Sequence, residues 1–173
     1  MEEFIPEIRR ILFPTDLSEN ARYAFGYAVS LANRYGAAIT ILHVVEDISP
    51  TSDSLVISIV GRKKWEELKK NKEQKILDTI QERLETFCEE VGRGIPSCPF
   101  VADEILVKIG NPVELILRQI EKSRCDLVVM GTHGHGVIAD AMMGSTSRRV
   151  SRRSKKPVLL VRLPEEDEGE PVS

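Results

Sequence analysis

The sequence predicts an α/β protein with an open, five-stranded parallel sheet and helices on both faces, which is a Rossmann-like class. Three observations predict it. Five short apolar segments alternate with four helical segments along the 173 residues, and this alternation is typical of parallel strands joined by crossover helices. The apolar segments are nearly continuous, as expected for strands covered on both faces. The length favours a single domain.

The first three elements are read from the N-terminal third. The run "RILFP" at 10–14 is apolar and ends at a proline, which predicts a buried strand. Ser18 is placed to cap a helix with apolar residues three and four apart, which runs to about Tyr35 and ends at Gly36. The segment "AAITILHVVED" at 37–47 is almost unbroken in its apolar character and predicts the second strand.

The middle of the chain holds one unreadable region and one long helix. Residues 48–61 begin as a polar loop, "SPTSDS", and continue as an apolar run, "LVISIV", without an obvious partner. A helix is then predicted from about Arg62 to Val91, because its second half carries one apolar stripe. The stripe consists of Leu77, Ile80, Leu84, Phe87 and Val91.

Strands and helices alternate again in the C-terminal half. Asn111 and Pro112 open the third helix, with proline at its first position. The fourth helix is predicted to start between Ile138 and Ser145 and to continue to about Ser154. The remaining strands are "ADEILVKIG" at 102–110, "CDLVVMG" at 125–131 and "PVLLVR" at 157–162.

The composition favours a soluble globular protein over a membrane or secreted one. Apolar residues make up 42% and charged residues 29% of the chain, which is ordinary for a soluble globular protein. No apolar run reaches the roughly 20 residues that a bilayer requires, and the N-terminus lacks the order of a secretion signal. The three cysteines are an odd number without metal-ligand spacing. We therefore expect reduced thiols, a cytoplasmic protein and no membrane partner.

The charge is unevenly distributed between the body and the C-terminal end. We expect one domain at 1–163 and an acidic, disordered tail at 164–173, which carries five acids and no base. The chain has 27 acids and 24 bases, and without the tail the acids fall to 22. The body is thus not basic enough to predict a nucleic-acid surface.

Two loops are candidates for a ligand site. Ligands of open parallel sheets bind beyond the carboxyl ends of the strands, where the strand order reverses. The loops after the first and fourth strands are "PTDLS" and "GTHGHGVIADAMMGST". In the second loop Gly131, Gly134 and Gly144 allow close approach of backbone N–H groups to an anion, and Ser145 and Thr146 add hydroxyl donors. This spacing favours a di- or triphosphate, and the alternative is an ordinary glycine-rich connection.

Asp16 and Val44 are the candidates outside the glycine loop. Asp16 lies just past the first strand, where a carboxylate can accept from an exocyclic amine or a ribose hydroxyl or can bind a metal. The alternative is that Asp16 caps the first helix. Val44 and Val45, near the end of the second strand, can wall a slot the size of a base, and core packing is the alternative for both.

The histidines raise the question of a metal site. His133 and His135 form an H-x-H pair, but no cysteine or glutamate in the loop supplies the third ligand that zinc needs. His135 is therefore interpreted as a neighbour of the phosphates or as a solvent-facing residue. His43 stands among apolar residues of a strand and is interpreted as a hydrogen-bonded structural histidine.

Five segments together resemble the universal stress protein family. They are "ILFPTDLSENA" at 11–21, "ILHVVED" at 41–47, "GNPVELI" at 110–116, and "DLVVMGTHGHG" with "GSTSRRVSRRSKKPVLLVR" at 126–136 and 144–162. The spacing from Gly131 through Gly134 to Gly144 and Ser145 is similar to the nucleotide-binding pattern of the family's ATP-binding branch. The resemblance covers about Arg10 to Arg162.

The resemblance implies a sheet of strand order 3-2-1-4-5 and a homodimer that docks through the last strand, 157–162. It also implies an ATP site, in which a divalent ion, magnesium or manganese, is held mainly by the phosphates and not by protein side chains. Adenine and ribose would contact the first strand's end, Val44, Met130 and Gly131. The phosphates would be surrounded by the glycine loop. The implied residues are Pro14, Thr15, Asp16, Val44, Met130, Gly131, Gly134, His135, Gly144, Ser145 and Thr146.

The resulting functional hypothesis is an ATP-binding stress-response or signalling module. We expect slow or no hydrolysis, because no serine–histidine–acid set and no pair of carboxylates falls in one loop. Two alternatives remain open at this point. One is a slow ATPase or a nucleotidyl-transfer enzyme on the same sheet, and the other is a dimeric scaffold that binds no nucleotide.

Overall fold

The computed structural model describes residues 5–46, 58–94, 102–134 and 143–164. They form a five-stranded, all-parallel sheet of order β3-β2-β1-β4-β5. The predicted α/β class and strand order are therefore confirmed. The strands are β1 Arg10–Thr15, β2 Ala38–Val45, β3 Ala102–Ile109, β4 Leu127–Gly131 and β5 Val158–Val161. The helices are α1 Glu19–Tyr35, α2 Arg62–Gly94, α3 Pro112–Ser123 and α4 Ser145–Arg153.

The core has two halves, one on each face of the sheet. On one face, α1 and the second half of α2 pack against the strands, with Phe25 between Phe13 and Phe87 at ring distances of 4.8 Å. On the other face, α3 and α4 bury Ile116 and Val150 against the opposite side of the strands. Successive residues of β1 alternate between these two clusters. The continuous apolar character of the strands follows from this two-sided burial.

The predicted helix signals act as expected. Ser18 is the N-cap of α1, since its Oγ accepts from the Ala21 N–H at 3.2 Å. Gly36 ends α1 in the left-handed region, with φ 65°. Asn111 caps α3 by accepting from the Glu114 N–H at 3.1 Å, and Pro112 is the first helical residue. The N-caps Ser18 and Asn111 set where the chain becomes helical after β1 and β3, and Gly36 sets where α1 ends.

The strand order positions a ligand crevice. β1 lies between β2 and β4, so the crossover after β1 goes to one side of the sheet and the chain later returns to the other side. The loops that follow β1 and β4 meet at the carboxyl edge beside this reversal.

Several sequence predictions fall outside the described residues. They concern His135 and the rest of 135–142, most of the segment 48–61, and the tail beyond Pro164. Among the helices that are described, none is long and apolar enough to cross a membrane.

Candidate functional site

A cavity of about 510 Å³ lies at the carboxyl edge of the sheet. Small-molecule sites are typically concave and of about 300–1,000 Å³. Six elements line the cavity: the ends of β1, β2 and β4 and the starts of α1, α3 and α4. The structure brings ten of the eleven predicted site residues to its lining: Pro14, Thr15, Asp16, Val44, Met130, Gly131, Gly134, Gly144, Ser145 and Thr146. The eleventh, His135, lies in the part that is not described.

The turn from β1 into α1 is held by its own side chains. The Leu17 N–H donates to Thr15 Oγ1 at 3.1 Å, and the Ser18 N–H donates to Asp16 Oδ1 at 3.0 Å. Leu17 adopts φ 64°, which is rare for a residue with a side chain. The N-cap of α1 is Ser18, so the alternative in which Asp16 caps this helix is wrong. Asp16 instead stabilises the turn, because one of its carboxylate oxygens accepts from the Ser18 N–H, and the residue lines the cavity.

Two of the glycines make room for protein side chains. A Cβ atom added to Gly131 would collide with Asn20 Oδ1, and one added to Gly134 would collide with Asp16 Oδ2. Either collision would force a side chain or the loop to move. Part of the glycine spacing therefore has a structural cause, which is the packing of the β4 loop on the start of α1.

The start of α4 is attached to the β4 loop by hydrogen bonds to the Thr132 carbonyl, and its N-cap residue makes no side-chain hydrogen bond. The Gly144 N–H donates to the Thr132 carbonyl at 2.9 Å, and Ser147 Oγ donates to the same oxygen at 2.7 Å. Gly144 is the N-cap residue, and the first turn of α4 contains no acid. The first N–H groups of a helix carry partial positive charge and favour an anion. The hydroxyl-bearing residues Ser145 and Thr146 line the cavity at this point.

Part of the cavity lining is apolar. Val44 and Met130 contribute to it, and so do Pro112 and Ile116 of α3. The sequence analysis missed these two α3 residues. A signal was available, since α3 begins directly after the carboxyl end of β3 and its first turn must face the same edge of the sheet.

The charges of the cavity are mainly negative. Its described lining includes two carboxylates, Asp16 and Glu46, two histidines, and no lysine or arginine. In sequence, 131–146 contains no lysine or arginine either. Positive potential for an anion must therefore come from backbone N–H groups, the α4 dipole or a cation.

The two described histidines have different environments. His43 is buried, and its Nδ1 donates to the Thr15 carbonyl at 2.8 Å, which confirms the predicted hydrogen-bonded histidine of β2. The backbone N–H of His133 donates to Asn20 Oδ1 at 3.0 Å, and its Nδ1 lies 2.9 Å from Thr132 Oγ1. Within the described ranges, no group of three or more histidines, cysteines and acids is placed to hold a metal.

Asn20 is the functional candidate that sequence reasoning missed. It lies behind the glycine loop, not in the cavity lining, and it is almost fully buried. Its only sequence signal is a polar residue on the buried face of α1, two positions after the N-cap. Its partners lie more than a hundred residues away in sequence, so the sequence does not reveal them.

Comparison with known proteins gives consistent matches. The model of the universal stress protein family matches residues 7–162. The universal stress protein MJ0531 of Methanocaldococcus jannaschii is 30% identical over 162 residues, which cover 92% of this chain and 85% of that protein. MJ0577 of the same organism is 27% identical over 158 residues, which cover 89% and 94%. The solved structure of MJ0577 aligns with a TM-score of 0.66 at 24% identity, covering 93% of this chain and 100% of that one, and it shows the same fold.

Proposed function

This chain belongs to the universal stress protein family, and from that premise we propose that its cavity binds ATP together with a divalent cation. Nucleotide occupancy would then regulate the protein in a stress response. ATP can shift such a protein only by its differential affinity for two states. The observation that carries the proposal is that the start of α4, which has no side-chain cap, lines one cavity together with the glycine loop and several apolar side chains.

The phosphates are assigned to the start of α4. The positive end of the helix dipole and the first-turn N–H groups suit an anion, and the hydroxyls of Ser145 and Thr146 can donate to phosphate oxygens. Gly144 places the backbone of this turn at the cavity surface. The first turn carries no acid that would repel a phosphate.

The adenosine end is assigned to the apolar part of the lining. Val44, Met130 and Ile116 can contact the faces of a base. Asp16 lines the same cavity and packs against Gly134, and its carboxylate can accept from a ribose hydroxyl.

The cation follows from the charge of the cavity. A triphosphate beside Asp16 and Glu46, without a lysine or arginine in 131–146, needs its charge neutralised by another group. Magnesium is typically bound by one or two carboxylates together with substrate phosphates. The phosphates would be the main ligands of this ion, and the carboxylates of Asp16 and Glu46 add negative charge beside it.

We propose that hydrolysis is slow or absent. The sequence contains no serine–histidine–acid set and no pair of carboxylates in one loop that would place a general base beside a phosphate-bound water.

A homodimer is proposed through the last strand, 157–162. β5 lies at the edge of the sheet and pairs only with β4 among the described strands. An edge strand exposes backbone N–H and carbonyl groups that can pair with another chain.

Calorimetric titration of the purified protein tests the nucleotide proposal. We expect MgATP to bind and ATP with a chelator to bind at least about tenfold more weakly, since the described lining of the cavity contains no lysine or arginine. AMP and cyclic AMP are the matched probes, because each keeps adenosine and only one phosphate, and both should bind more weakly than MgATP. Absence of MgATP binding at millimolar concentration, with no rise in melting temperature, contradicts the proposal and favours the scaffold. Accumulation of ADP or AMP over hours favours the enzyme instead.

A further inference from the structure

Asn20 is a buried amide that joins two distant segments. It is 6% exposed, although it lies in the first turn of α1. Its Oδ1 accepts from the His133 N–H at 3.0 Å, and its Nδ2 donates to the Val161 carbonyl at 3.4 Å. Buried polar groups are normally hydrogen-bonded, and this side chain meets that requirement by holding the β4 loop with one end and the last residue of β5 with the other.

The β4 loop rests directly on this amide. The place where a Cβ of Gly131 would lie is already taken by Asn20 Oδ1. Only glycine at 131 allows the loop to approach Asn20 this closely without displacement. The glycine and the asparagine therefore form one packing unit.

The contact continues from Asn20 to the start of α4. The Thr132 N–H donates to the Val161 carbonyl at 2.9 Å, so this oxygen accepts from both Thr132 and Asn20. The Thr132 carbonyl in turn accepts from the Gly144 N–H and from Ser147 Oγ. The hydrogen bonds thus run without a break from the end of β5 to the turn assigned to the phosphates.

We propose that Asn20 is a positioning residue for nucleotide binding: it fixes the β4 loop to the end of β5 and thereby sets the Gly144 turn for the phosphates. This inference rests on the proposed function. Asn20 does not line the cavity, so its effect passes through Gly131, Thr132 and His133. Nucleotide binding and the order of the Thr132–Val161 bond are therefore linked, and each should strengthen the other.

A double-mutant cycle between Asn20 and Gly131 tests the proposal. Asn20→Ala should weaken MgATP binding about tenfold, because the β4 loop loses its hydrogen bond to Asn20 and the end of β5 loses the other one. Gly131→Ala should weaken it by a similar factor in the wild-type background, because the new Cβ displaces Asn20. In the Asn20→Ala background the space is free, so Gly131→Ala should then cost less than about threefold. Asn33→Ala, the same substitution elsewhere on α1, is the matched control and should leave the dissociation constant unchanged.

Amide exchange gives a readout that loss of stability alone would not produce. MgATP should slow exchange at the Thr132 N–H in the wild type and not in Asn20→Ala, while exchange at other β4 amides stays equal in the two proteins. Equal dissociation constants for wild type and Asn20→Ala, or the same cost of Gly131→Ala in both backgrounds, overturn the inference and leave the proposed function intact. A wild-type protein that binds no MgATP overturns both.

Discussion

The starts of α1 and α4 lie at the same edge of the sheet and differ in how their first N–H groups are used. α1 has a serine cap, an acid in its first turn and a preceding turn braced by Thr15 and Asp16. α4 begins at a glycine with no side-chain cap and no acid in its first turn. Both helices carry partial positive charge at their N-terminal ends. The two starts are distinguished by the residues of the turn.

This difference indicates which helix start is available to a ligand. At the start of α1, side chains of the protein accept hydrogen bonds from backbone N–H groups, and these bonds stabilise the folded state. At α4 the serine and threonine that follow the cap face the cavity, and the positive end of the helix is not offset by a carboxylate of its first turn. α3 resembles α1, with Asn111 as its cap and Glu114 in its first turn. Of α1, α3 and α4, the start of α4 is thus the one that best suits the proposed phosphates.

The largest expected effect is on MgATP binding, when an acid is placed in the first turn of α4, as α1 has Glu19 in its first turn. Ser145→Asp places a carboxylate in the first turn of α4. We expect MgATP binding to weaken about 30-fold or more through repulsion of the phosphates. Stability should hold or rise by about 0.3–1 kcal/mol, because an acid in the first turn complements the dipole. Calorimetric titration and thermal unfolding of the same preparation measure the two effects.

The matched control is Ser145→Asn, which has nearly the same shape and no charge. Its MgATP affinity should stay within a few-fold of the wild type. If Ser145→Asp and Ser145→Asn bind MgATP equally well, the phosphates do not lie at the start of α4, and the comparison between the two helices loses its functional meaning.

An intermediate effect is expected at α1, where a substitution should lower stability and leave MgATP binding nearly unchanged. Ser18→Ala removes the cap bond to the Ala21 N–H. It should lower the free energy of unfolding by about 1 kcal/mol, or the melting temperature by about 2–4 °C. Ser18 does not line the cavity, so the MgATP dissociation constant should change less than about twofold. Ser18→Thr keeps the hydroxyl and should restore the stability; a large loss of MgATP affinity in Ser18→Ala would show that both helix starts bind the ligand.

Much of this comparison could be predicted from the sequence. The alternation of apolar and helical segments predicts the class because it reflects local periodicity, and Ser18, Gly36 and Asn111 act within a few residues of themselves. Ten of the predicted site residues lie together because the carboxyl ends of parallel strands share one edge. The strand order itself came from the family resemblance.

The parts that could not be predicted depend on contacts between distant segments. Asn20 meets His133 and Val161 only after α1 has packed on the finished sheet. The reason for Gly131 was also missed: its small size was attributed to a ligand, and the structure shows a protein side chain at that place. A glycine pattern gives the position of a close approach and does not identify the group that approaches.

The smallest expected effect concerns α3, the second capped helix start. Arg153 of α4 donates to Glu114 Oε1 at 2.8 Å, and this hydrogen bond, together with the charge of Arg153, lowers the pKa of Glu114. A lowered pKa in the folded state adds stability above the pKa of the unfolded chain, and this is lost as the pH falls through the folded value. Both side chains are more than half exposed, so water and salt screen the pair and thermal unfolding near pH 7 should hardly change in Arg153→Gln. NMR titration of the Glu114 carboxyl carbon should show its pKa rise toward the ordinary value in Arg153→Gln, whereas Arg149→Gln, the control on the same helix, should leave it unchanged. An unchanged pKa in Arg153→Gln would mean that other groups near the start of α3, such as the charge of Arg118, lower the pKa of Glu114 and that the contact with α4 does not.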